Sequence, residues 1–174
     1  MNKNKLKWYI VNKNYINYLR MHDKKVGNID YDTRFKPYIG ILIRIKDFNY
    51  YVPISSVKPK HYKMKEDMDF IKLVKNNKII SVLNLNNMIP ILHDNVSILK
   101  YNNVQEYRNF NSEQEKKLYI SFLSLELTLI NKKMDKIRKS ALRLYNEKLK
   151  NPASKISKRC CDFKLLEEKC ILYK

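Results

Sequence analysis

Between Ser112 and about Lys150 the chain contains neither proline nor glycine, while Leu118, Phe122, Leu125 and Leu129 recur at helical spacing. Met134, Ile137, Ala141 and Leu144 continue the row. A stretch without breakers, with an apolar position on every turn, buries itself as a helix along one face. The spacing predicts one long helix, or two packed against each other with Asn131 as the break. Asn151-Pro152 ends it, because the residue before a proline is pushed out of helical geometry. Asp162 then caps a last helix from Phe163 to about Leu172. Residues 102–174 are therefore expected to be helical, and any sheet must come from residues 1–101.

The first 101 residues have the punctuation of strands. Lys7 to Val11 is short and aromatic, and Asn12 can cap a helix to about His22 that turns Tyr15, Ile16 and Leu19 to one side. Residues 24–37 read as an irregular loop. Tyr38 to Ile45 is an apolar run too continuous for a strand with one wet face, and Gly40 inside it signals a bulge or a close backbone approach. Asp47 to Asn49 turn the chain into Tyr50 to Ile54. Met68 to Val74 and Ile79 to Leu85 form a hairpin about Asn76-Asn77, since asparagine tolerates the left-handed conformation of tight turns. Met88 to Leu92 and Val96 to Tyr101 supply further short strands. No internal repeat or low-complexity linker separates the halves, so the expectation is one α+β domain over residues 1–174.

Charge narrows the partners. Lys and Arg number 36 against 17 Asp and Glu, a net +19 in 174 residues. The excess is concentrated: residues 34–65 hold eight basic and one acidic residue, and residues 131–159 hold eleven and two. Only seven of the basic residues are Arg, and Lys, Asn, Ile and Tyr share A/T-rich codons, so codon bias contributes to the total. A polyanionic partner is nevertheless the first expectation. The opening Met1-Asn2-Lys3-Asn4-Lys5 leads into no apolar signal region, and no run reaches the roughly 18 apolar residues of a membrane span. Three cysteines, two of them adjacent, make neither a disulfide framework nor a zinc site. A cytoplasmic protein without membrane contact is expected.

The stretch richest in chemistry is Pro53-Ile54-Ser55-Ser56-Val57-Lys58-Pro59-Lys60-His61, placed where a strand runs into a loop. Paired serine hydroxyls can donate to phosphate oxygens and lysines can neutralise them; the same residue types also make an ordinary solvated turn. Carboxylates for magnesium are sparse: Glu66, Asp67 and Asp69 lie beside a strand, with Asp67 and Asp69 alternating with apolar residues like its wet face, and Glu167-Glu168 sit on the last helix. His22-Asp23 and His93-Asp94 are half-motifs in a chain with three histidines. RNA can be cut without a metal because its 2′-hydroxyl is an internal nucleophile; the protein need only move protons and stabilise the phosphorane. A Ser, Lys and His site therefore leans toward RNA. The alternative is a basic RNA-binding protein without catalysis. A DNA-binding regulator would require a helix-turn-helix, which the pattern lacks, so no DNA partner is expected.

The stretch Tyr38-Ile39-Gly40-Ile41, followed by Tyr51-Val52-Pro53-Ile54-Ser55-Ser56-Val57-Lys58, resembles the "P-x-(S/T)-S-x-K" region of the ToxN/AbiQ toxins of type III toxin–antitoxin systems. Four more stretches agree in order: Trp8-Tyr9-Ile10 with Tyr15-Ile16-Asn17-Tyr18-Leu19; Lys36-Pro37; Leu83-Asn84-Leu85-Asn86-Asn87-Met88-Ile89-Pro90-Ile91; and Cys161-Asp162-Phe163-Lys164-Leu165-Leu166-Glu167-Glu168-Lys169. The resemblance spans nearly the whole chain. It implies a compact, twisted antiparallel sheet flanked by helices, related to Kid/MazF-type toxins. It also implies a metal-independent, cofactor-free endoribonuclease that leaves 2′,3′-cyclic phosphate and 5′-hydroxyl ends and acts in phage abortive infection. Such a toxin would be held inactive by pseudoknot repeats of an RNA antitoxin that it cuts from a precursor, in a cyclic and often triangular assembly.

Residue by residue, the resemblance places the hydroxyl pair on Ser55 and Ser56, the motif lysine on Lys58, the lysine before the Ile-Gly strand on Lys36, and an early helix tyrosine on Tyr15. Ser55 stands where Thr is common, and Val57 where Pro is common, with Pro59 two positions on. His61 falls where some members carry histidine and would contact RNA or assist as an acid; Lys60 adjoins it. Read without the resemblance, Tyr15 is a core aromatic. The basic segment 131–159 would track folded RNA through Arg138, Lys139, Arg143 and Lys148, with Lys155, Lys158 and Arg159 continuing the surface; the competing reading is a solvated outer face.

Overall fold

The computed structural model describes residues 5–27 and 36–173, apart from the His93 side chain. Most of the loop expected over 24–37 therefore lies outside the described residues, as does half of the His93-Asp94 motif. One strand organises the sheet. β4 (Phe48–Ser56) pairs successively with β3 (Arg44–Ile45), β7 (Ile89–Ile91), β2 (Tyr38–Gly40) and β6 (Lys78–Asn84). With β1 (Lys7–Val11), β5 (Phe70–Lys75) and β8 (Val96–Ile98) these make an eight-stranded antiparallel sheet in the order β5-β6-β4-β2-β1-β8, with β3 and β7 attached to β4. Residues 48–54 of β4 are buried throughout, as befits the strand at the centre of the sheet.

Local chemistry sets the elements. Asn12 caps α1 (Lys13–His22): its side chain accepts from the Asn14 and Tyr15 amides at 2.8 and 3.4 Å. The β5–β6 hairpin turns through Asn76 and Asn77 at φ 48° and 61°, the primed geometry expected of that pair. Gly40 allows close approach: a Cβ there would lie 2.2 Å from the Tyr51 ring. The apolar run 38–45 is not one strand but two, β2 and β3, with residues 41–43 between them; a cis peptide joins Gly40 to Ile41.

The helical half splits into α3 (Glu113–Lys132) and α4 (Met134–Lys150), with the break at Lys133, not at Asn131. Asn131 instead clamps the chain ahead of β1, accepting from the Leu6 amide at 2.9 Å and donating to its carbonyl at 3.0 Å. The expected inward row of α3 is displaced by one position. Leu118 and Phe122 are 65% and 42% exposed, while Leu123, Glu126 and Ile130 are buried. The inward row 119–123–126–130 has the same spacing, but Glu126 makes it look polar in sequence. Trp8 fixes this orientation by donating its indole N–H to the Leu123 carbonyl at 3.0 Å. In α4 the expected Ile137, Ala141 and Leu144 are buried.

Two short helices had not been separately expected: α2 (Pro59–Lys63), opened by a proline at its first turn where a loop was expected, and α5 (Lys155–Arg159), between Pro152 and Asp162. α6 (Phe163–Leu172) is capped by Asp162 as expected. The three cysteines are free and buried. Asp69, expected on a wet strand face, is buried and held by the Arg159 guanidinium, which ties α5 to the start of β5. Glu167 is buried too, accepting from the hydroxyls of Tyr50 and Tyr145 at 2.8 and 2.7 Å and from Lys164 at 2.8 Å. Both carboxylates are structural. Among the described residues no helix is long and apolar enough to cross a membrane.

Candidate active site

Ser55 and Ser56 are the last two residues of β4. They stand opposite Val82 and Ser81 of β6. The Asn84 side chain donates to Ser55 Oγ at 3.2 Å, leaving the Ser55 proton available to a ligand, while Ser56 is exposed. Lys58 follows in extended conformation as the residue before α2. Its backbone N–H donates to His61 Nδ1 at 3.0 Å. That bond assigns the proton of the neutral imidazole to Nε2.

These residues share a cavity of about 690 Å³ with Lys36, Pro37, Lys60, Asn84 and Asn87. Lys36 arrives just ahead of β2 and is half-buried. Burial, and then the neighbouring Lys58, destabilise its ammonium and lower its pKa. His61 is only 3% exposed and tilts against the Phe70 ring. Burial and then Lys60, Lys58 and Lys72 lower its pKa, so it is held neutral. With Nδ1 accepting from the Lys58 amide, the imidazole is suited to donating a hydrogen bond from Nε2 into the cavity.

α3 forms the opposite wall with Tyr119, Phe122, Leu123 and Glu126. Sequence reasoning missed this wall entirely. Glu126 is 3% exposed, and burial pushes its carboxyl up to about 7. An acidic residue three and four positions from the buried Leu123 and Ile130 was the signal available, and helical periodicity alone reads it as solvent-facing.

The arrangement can receive a phosphodiester: two hydroxyls, an imidazole N–H and three ammonium groups line one concavity, with one carboxyl at its inner wall. A family model described as toxin ToxN, type III toxin–antitoxin system, matches residues 7–170. The chain belongs to the ToxN family. Endoribonuclease ToxN of Pectobacterium atrosepticum is 32% identical over 170 residues, spanning 94% of this chain and 91% of that protein. The solved structure of AbiQ, a lactococcal anti-phage endoribonuclease of a type III system, aligns with TM-score 0.82 and 26% identity over 98% of both chains. A structure from a type III system in which a non-coding RNA pseudoknot selectively inhibits the toxin aligns with TM-score 0.80, 26% identity and the same coverage.

The family's expected residues divide into three groups. Ser55, Ser56, Lys58, Lys36, Lys60 and His61 line the cavity together. Tyr15 does not: it is fully buried in the core, and its hydroxyl donates to the Pro90 carbonyl at 2.6 Å. It cannot reach a ligand in the cavity, and the reading as a core aromatic stands. The basic helix is mixed. Lys139 and Arg143 are exposed and one turn apart on α4, Arg138 is half-buried, and Lys155 and Lys158 are exposed. Lys148 is half-buried and donates to the Ser157 carbonyl at 3.1 Å. Arg159 is likewise engaged, its fork held on Asp69. These two cations hold the fold together and are withdrawn from the RNA-binding set. Lys132, Lys136 and Lys150 are also exposed on α3 and α4, with Lys136 paired to Glu66.

Proposed function

We propose that this protein is a toxin that cleaves RNA inside its phosphodiester chain by transesterification, leaving 2′,3′-cyclic phosphate and 5′-hydroxyl ends without a metal ion. The convergence of Ser55, Ser56, Lys36, Lys58 and His61 on one cavity carries the reading. The 2′-oxygen attacks the adjacent phosphorus, and charge builds on the non-bridging oxygens. Ser56 and Ser55 hydroxyls and the Lys58 ammonium stabilise that charge, and His61 Nε2–H adds a donor. Lys36, with its ammonium destabilised, is suited to protonating the departing 5′-oxygen.

A pseudoknot RNA antitoxin, cut by the toxin from its repeat precursor, would cover the cavity and extend along the α4 stripe of Lys139 and Arg143, in a cyclic protein–RNA assembly. The setting would be the cytoplasm and the role abortive infection by phage. The family membership and the names of its relatives support this reading, and the two basic surfaces supply the electrostatics it needs.

The test is purified protein with RNA in excess EDTA. Cleavage should persist, and the new ends should carry cyclic phosphate and 5′-hydroxyl. Ser56→Ala and Lys58→Ala should each lower the rate by at least about 100-fold. Loss of cleavage in EDTA, restored by magnesium, would refute the chemistry; RNA binding with no cut ends would leave a binding protein.

A further inference from the structure

We infer that Glu126 is the general base of this site, taking the proton of the attacking 2′-hydroxyl. The inference rests on the cleavage reading above and deepens it.

Register brings the carboxyl to the reacting groups. Ser56 and Ser81 are directly opposed across β4 and β6, so their side chains lie on the same face of the sheet. The Ser81 hydroxyl faces Glu126. Ser81 thus neighbours Ser56 across the ladder and faces Glu126, and Ser56 and Glu126 line the same cavity. Ser81 is itself 1% exposed, and apart from facing Glu126 its hydroxyl has no well-formed hydrogen bond among the described residues. A carboxyl buried with a single serine hydroxyl facing it is expensive for a fold to keep. Its placement on the wall of an open cavity is explained if a ligand hydroxyl completes the network.

The surroundings suit the task. Glu126 faces Ser81 from β6, Tyr119 from its own helix and Tyr101 from the 3-10 segment Tyr101–Glu106, while Lys36, Lys58, Lys60 and His61 line the rest of the cavity. No ion pair to Glu126 is formed among the described residues. The carboxyl therefore keeps the basicity that burial confers, and its proton affinity sits near neutral pH, where a general base works best. The step balances: the 2′-O–H proton passes to the Glu126 carboxylate as the 2′-O–P bond forms. The P–O5′ bond breaks, and the 5′-oxygen takes a proton from the Lys36 ammonium. Solvent then returns a proton from Glu126 to the Lys36 amine. His61 is excluded as the base because its Nδ1 already accepts from the Lys58 amide.

The experiment measures single-turnover cleavage from pH 5 to 9 by wild type, Glu126→Gln and Glu126→Asp, on a transcript whose cut position has been mapped with wild type. Binding is measured on the same transcript carrying a 2′-deoxy nucleotide at that position. Wild type should show a rate that rises with pH and levels off near 7. Glu126→Gln should be slower by at least about 100-fold above pH 7, with the rising limb gone and binding within about 3-fold of wild type. Glu126→Asp should keep the limb and part of the rate. Cleavage by Glu126→Gln at near wild-type rate with the same limb would overturn the assignment. Equal losses in both variants, or binding lost in step with cleavage, would make Glu126 structural and overturn it as well. Wild type that yields no cut ends, or Ser56→Ala that cuts normally, would instead refute the underlying reading of the site.

Discussion

Glu126→Gln also makes a prediction about stability that needs no substrate. The carboxyl titrates at about 7 in the fold against an ordinary value of 4.5, because its charged form is buried. At about 1.36 kcal/mol per pH unit, that difference corresponds to roughly 3 kcal/mol. The sign follows from the direction of the shift. The folded protein binds this proton more tightly than the unfolded chain, so the contribution is fully present below pH 4.5. It is lost as pH rises through 7, where the buried carboxylate becomes charged. Glutamine keeps the shape and never ionises. The variant should match wild type within about 1 kcal/mol near pH 4.5 and exceed it by roughly 3 kcal/mol at pH 8. Urea unfolding followed by the fluorescence of Trp8, the sole and buried tryptophan, reads both values. A difference between the two proteins that stays constant from pH 4.5 to 8 would refute the burial argument and remove the basis for a near-neutral base in the cavity.

Tyr15→Phe should leave cleavage unchanged while lowering stability by about 1–3 kcal/mol, because the buried Pro90 carbonyl loses its donor; paired activity and urea curves check this. Arg159→Ala strands the buried Asp69 carboxylate and should cost about 2–4 kcal/mol, reduced from the fully buried case because the guanidinium is half exposed. Gly40→Ala drives a methyl into the Tyr51 ring and should cost about 1–3 kcal/mol in the same assay. Replacing Lys139 and Arg143 together by Gln should weaken antitoxin binding and make its dependence on log salt shallower by up to about two, measured by titration between 50 and 200 mM salt.

Much of the architecture was legible because its causes are local. Asn12 caps α1 with its own side chain, Asn76-Asn77 adopt the turn that asparagine favours, and Asp162 opens α6; each is settled within a few residues. The loop that lines the cavity was legible for a similar reason, since Ser55, Ser56, Lys58 and His61 are neighbours in sequence and stay neighbours in space. Errors arose where distant contacts overrule a local pattern. Arg159 looked like one more surface cation until Asp69, ninety positions away, claimed it. Asn131 looked like a helix break and is instead a clamp on Leu6.

By itself, then, the sequence determined most of the element order, the two concentrations of positive charge and the loop of serines and lysines that lines the cavity, because spacing, capping and composition act over short range. The tertiary structure alone decided which face of α3 turns inward. Periods of 3.6 residues fitted 118–122–125–129 and 119–123–126–130 equally, and contacts such as the Trp8 bond to Leu123 selected the second. That choice leaves Leu118 and Phe122 exposed and carries Glu126 into the cavity beside the serines. A carboxyl's proton affinity depends on what surrounds it, and only the folded chain supplies those surroundings.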